Sequence, residues 1–142
     1  MDKKKLAELI KKAKSPMVQK PLGECTKEEA IARCTKIARK LEEHINRNGG
    51  NKFYNIIDAF QTYYTDGDNQ EHKTWDFLIK TTDKEGKLYV DIYKLYGWRL
   101  KATGTIPRAL GKEPEAIVEI YEKVNEEGKK AIEEYVSLHV EE

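Results

Sequence analysis

The apolar residues of this chain change their spacing twice, and that change restricts its fold more than any other feature. From Thr26 to about Asn48, the positions Ala30, Cys34, Ile37, Leu41 and Ile45 recur every three or four residues, as on one face of a helix. Thr26 and Glu29 supply an S/T-x-x-E capping box at its start, and Asn48-Gly49-Gly50 closes it. The same spacing in Phe53, Ile56, Ile57 and Phe60 predicts a second helix from Asn51 to about Tyr64, making a helical hairpin across the glycine turn. The period then falls to two. In Lys73–Thr81, Trp75, Phe77 and Ile79 oppose Asp76, Leu78 and Lys80. Asp83-Lys84-Glu85-Gly86 reads as a hairpin turn into a second strand, Lys87 to about Tyr96, with Leu88, Val90 and Ile92 on one side. Gly97 reads as a bulge and Trp98–Thr103 as a third strand.

From Thr105 the helical spacing returns. Pro107 suits a first turn, Pro114 opens a helix to about Asn125, Glu126-Glu127-Gly128 interrupts, and Lys129–His139 is the last helix. The expected class is α+β: an N-terminal helical hairpin, a small two- to three-stranded antiparallel sheet and C-terminal helices. So few strands need a packed face, and Trp75, Phe77, Leu88, Val90 and Ile92 are expected to point at the helices. Upstream, Lys3–Lys14 forms a short amphipathic helix through Leu6, Leu9, Ile10 and Ala13, stopped by Ser15-Pro16. Met17–Cys25 follows as an extended arm. The 142 residues are expected to make one domain, with 1–25 as helix and arm and 26–142 as the globular body.

No apolar run approaches the roughly 18–20 residues of a membrane span, and no apolar segment of a secretory signal follows the basic start. A cytoplasmic location is therefore expected, with Cys25 and Cys34 as free thiols. Charged residues make up 36% of the chain, above the roughly 25% of average proteins, and are dominated by Lys and Glu. That bias is found both in proteins of hot organisms and in ordinary solvated helices.

The charges are unevenly placed. Residues 1–50 hold 13 Lys/Arg against 7 Asp/Glu, residues 87–112 hold 6 against 1, and residues 113–142 hold 3 against 10. Basic blocks most often meet nucleic acid. In the second block Lys87, Lys94, Arg99, Lys101 and Arg108 alternate with Tyr89, Tyr93, Tyr96 and Trp98. Cations for phosphates beside aromatics for bases is how sheet-faced proteins hold single strands. The candidate nucleic-acid-binding residues are thus Lys87, Tyr89, Tyr93, Lys94, Trp98, Arg99, Lys101 and Arg108. The competing reading makes these aromatics packing residues and the cations their rim.

Three further constellations were weighed. Ala109-Leu110-Gly111, then Ile117, Ile120 and Val124, then Glu126-Glu127-Gly128, resembles the latter part of a helix-turn-helix, including a winged continuation past a glycine. Its would-be recognition helix carries Glu113, Glu115, Glu119 and Glu122, which phosphates would repel. Asp66, Asp68, Glu71 and His72 crowd one loop, but Glu71 and Phe77 stand where a calcium loop needs Gly and Glu. Glu85-Gly86-Lys87 with Asp76 has the letters of a metal-dependent nuclease but straddles a glycine turn. No catalytic residue, metal or cofactor is expected. The favoured function is non-enzymatic nucleic-acid binding. The alternative is a protein adaptor or inhibitor acting through the acidic C-terminal helices, as a homodimer in one version, and a metal-dependent nuclease ranks third.

Overall fold

A computed structural model describes residues 1–13 and 20–140. The helices are α1 (Lys3–Lys12), α2 (Lys27–Arg47), α3 (Thr105–Ala109), α4 (Pro114–Lys123) and α5 (Glu126–Ser137). The strands are β1 (Phe53–Thr65), β2 (Glu71–Thr82), β3 (Leu88–Tyr96) and β4 (Arg99–Ala102). They form one antiparallel meander in the order β1-β2-β3-β4. The class is α+β as expected, but the sheet has four strands. The expected Ser15-Pro16 stop and the Met17-Val18 part of the arm lie outside the described residues.

The expected helix over 51–64 is β1. Its register slips between Ile56 and Asp58, where Ile57 is the extra residue of a bulge. The slip turns the alternation by one residue: Tyr54, Ile56 and Ala59 join one core while Ile57 and Phe60 join the other. Apolar residues alternating around a bulge imitate helical spacing. The strand was nonetheless written in the aromatic content of the segment, Phe53, Tyr54, Phe60, Tyr63 and Tyr64.

Both faces of the sheet are covered, rather than one. Asp76, Phe77, Leu78 and Ile79 are all buried. On the first face α2 presents Ala30, Cys34 and Ala38, small residues one turn apart, to Tyr54, Phe77, Ile79 and Tyr93. Small side chains on the helix let it lie close to large ones on the strands. On the second face Leu78, Leu88, Val90 and Ile92 meet Ile106, Ile120, Val124 and Ile132 of the C-terminal helices. Burying each such side chain contributes about 1.5–3 kcal/mol. Trp75 and Phe77 therefore face α2, while Leu88, Val90 and Ile92 face α3–α5. Gly128 lies inside α5 rather than breaking it, because a Cβ there would stand 2.8 Å from Val124 and 3.1 Å from Leu78.

Two buried carboxylates pin the helical layers to the sheet. Asp58, at the bulge, takes Lys27 Nζ of α2 at 2.6 Å on one oxygen and the Asn125 N–H before α5 at 2.8 Å on the other. Asp91 accepts the Gly104 N–H at 2.9 Å where the chain enters α3. Burial pushes its carboxyl above the usual range, against the pull of the amides at the start of that helix. Cys25 and Cys34 are free and both buried, and burial pushes the Cys34 thiol up to about 12. Among the described residues, no helix is long and apolar enough to cross a membrane.

Candidate nucleic-acid interface

β3 and β4 are joined by a two-residue hairpin, since Tyr96 pairs with Arg99. Gly97 has φ 60°, the left-handed value that a glycine-first hairpin turn requires, so it makes the turn rather than a bulge. The turn carries Trp98 to the end of the sheet beside α2, where 41% of it stays exposed. The ammonium of Lys40 stands 5.5 Å from the Trp98 ring centroid.

A groove of about 500 Å³ runs between α2 and β4 on one side of Trp98. Ile37, Leu41 and Leu100 form its floor, and Lys40, His44, Arg99 and Lys101 its rim. The helix contributes positions 37, 40, 41 and 44, which its 3.6-residue period places on one side. No carboxylate lines this groove among the described residues.

A larger cleft of about 890 Å³ opens on the other side of Trp98. Lys20, Arg33, Lys73, Tyr64 and His72 line it, together with two carboxylates, Glu24 and Glu71. His72 stacks on Tyr64 with centroids 5.1 Å apart and meets the Asp66 carboxylate at 2.6 Å. That contact holds Asp66 below the usual carboxylate range. One wall is the turn Leu22–Glu24, seated on the start of β2 with the Trp75 indole N–H donating to the Cys25 carbonyl. The seat depends on Gly23, where a Cβ would stand 2.2 Å from the Lys73 carbonyl oxygen. Gly23→Ala is therefore expected to push this turn off β2 at a cost of about 1–3 kcal/mol, read from the urea midpoint.

The structure gathers only part of the expected site. Trp98, Arg99 and Lys101 meet at the groove. Lys94 lines the larger cleft, but its ammonium is committed to Asp76 at 2.7 Å. Tyr93 is buried and meets Tyr54 edge-on with centroids 6.1 Å apart, and burial pushes its phenol up to about 12. Lys87 lies over Tyr89 at the opposite end of β3, seven residues before Tyr96 or roughly 23 Å along the strand. Arg108 belongs to α3, on the other face of the sheet. Tyr89 and Tyr96 are exposed, but they stand at opposite ends of β3 with the buried Tyr93 between them, so the aromatics of this strand do not form one continuous exposed row. Of the cations missed by the sequence reading, Arg33 and Lys40 sit seven apart on α2. Their spacing was visible, but nothing local tied α2 to Trp98.

The other constellations come apart. Asp66 accepts the Asp68 and Gln70 N–H groups, closing the β1–β2 turn. Asp76 and the Glu85-Gly86-Lys87 turn lie toward opposite ends of the β2–β3 hairpin. α3 and α4 pack together across Gly111, but α5 follows where a wing would stand. Comparison with protein-family models, curated proteins and solved structures finds no match for the chain.

Proposed function

We propose that this protein binds nucleic acid, without catalysis, along the α2–β4 groove around Trp98. The observation that carries this reading is a rim of Lys40, His44, Arg99 and Lys101 that no carboxylate among the described residues offsets, set around an apolar floor beside a half-exposed indole. Phosphates suit the rim, and an unpaired base suits the indole face once Lys40 swings aside. A base stacked on one Trp, with cations spaced along a groove, favours single strands over a duplex.

A titration with labelled single- and double-stranded DNA and RNA tests it. Wild type is expected to bind at about 50 mM salt and to weaken steeply by about 200 mM. Neutralising Lys40, Arg99 and Lys101 together should make the log-affinity against log-salt slope shallower by about 2, at roughly 0.7 per phosphate contact on a single strand. Trp98→Ala should cost about 1–3 kcal/mol of affinity with the slope unchanged. An unbound wild type at low salt removes the proposal.

A further inference from the structure

Among the described residues, the first helix buries none of its side chains. α1 is capped by Asp2, whose carboxylate accepts the Lys5 N–H at 2.7 Å. Leu6, Leu9 and Ile10 form an exposed apolar stripe. At 100° per residue, Lys3 borders that stripe on one side and Lys5 and Lys12 on the other. A ten-residue helix is marginal in water on propensity alone, so its stability calls for something that covers this stripe.

A surface of matching length and opposite charge lies on α4. Glu115, Val118, Glu119 and Glu122 follow at helical spacing and are all exposed, Val118 at 52%. None of the three carboxylates is in an ion pair among the described residues. α1 is thus an apolar stripe flanked by lysines, and α4 an exposed apolar residue with a row of three glutamates along one side of it. A phosphate backbone offers nothing to the stripe, and α1 brings no aromatic residue to anchor it at a lipid interface.

We infer that α1 of one copy docks on α4 of a second copy, so that the protein self-associates through a contact between unlike surfaces. The charges set the pairing, since two α1 helices or two α4 helices would repel each other. The contact is separate from the groove around Trp98 and does not depend on that groove's function.

Two variants test it, both changed only at exposed positions. In the first, Lys3, Lys5, Lys12 and Leu9 are replaced by Gln. In the second, Glu115, Glu119, Glu122 and Val118 are replaced by Gln. In sedimentation equilibrium, wild type is expected to exceed the 16.5 kDa monomer and to shift toward it as salt rises. Each variant alone should stay at the monomer mass. Their equimolar mixture should form a 1:1 pair of twice 16.5 kDa, because the first variant keeps a working α4 and the second a working α1. A monomeric wild type, or a mixture that does not pair, overturns the inference, and a monomeric wild type beside a pairing mixture is the result if α1 folds back onto its own α4. Wild type that stays monomeric but sediments with phosphatidylserine-containing vesicles would assign the stripe to lipid and overturn it equally.

Discussion

Val90→Asp is expected to leave no folded protein at room temperature. Val90 is fully buried on the middle of β3, between the sheet and the C-terminal helices. The buried side chains of its cluster are aliphatic apart from Tyr135, and Lys80, opposite it on β2, holds its ammonium toward Glu134 of α5 at 3.3 Å. A carboxylate placed there must either be desolvated unpaired or take up a proton at neutral pH, and either route costs several kcal/mol. The packing of the lost methyl groups adds to this, against a total stability of about 5–15 kcal/mol for a domain. Loss of near-ultraviolet circular dichroism and of a cooperative thermal transition is the expected result. A folded, soluble variant would mean that the second face of the sheet is not packed as described.

Asp58→Ala comes next in size. Its carboxylate joins α2, β1 and the start of α5, so the substitution strips the buried amide of Ala59 and the half-buried amide of Asn125 of their acceptor. Each orphaned donor costs about 1–3 kcal/mol. The lost pairing with Lys27 adds less, because that side chain is 43% exposed and returns to water. A loss of about 3 kcal/mol is expected from urea denaturation. Asp58→Asn should recover part of it, since one amide oxygen still accepts. Equal losses in the two variants would show that the backbone contacts of Asp58 are not what holds the layers.

What could be read from the sequence follows the range of the forces involved. α2 was legible because its capping box and its Ala30-Cys34-Ile37 spacing are local. β2 and β3 were legible because Trp75, Phe77 and Ile79, and then Leu88, Val90 and Ile92, recur at every second residue on either side of a clear turn signal. β1 was not, because a bulge reverses its alternation at Ile57 and both faces are buried around that bulge. Trp98, Arg99 and Lys101 were found as neighbours in the chain. Lys40 and His44 were not, because only the packing of α2 across the sheet brings them to the hairpin turn. Tyr93 is buried and Lys94 is paired for one reason: over the middle of β3 both faces of the sheet are covered, so alternation there did not tell which side chain meets water.

The bulge at Ile57 has a further consequence. β1 is 13 residues long and stands at the edge of the sheet, where outward-facing amides and carbonyls invite a foreign strand. The slip between Ile56 and Asp58 breaks that row near its middle. Asp58, already occupied by Lys27 and Asn125, cannot give up its partners to an incoming chain without exposing the core beneath it. The opposite edge, β4, is only four residues long and rimmed by cations. The bulge thus shortens the unbroken stretch of β1 to the eight residues Asp58–Thr65, and the four residues of β4 shorten the other edge further, so both edges offer less flat strand to an incoming chain than β1 alone would.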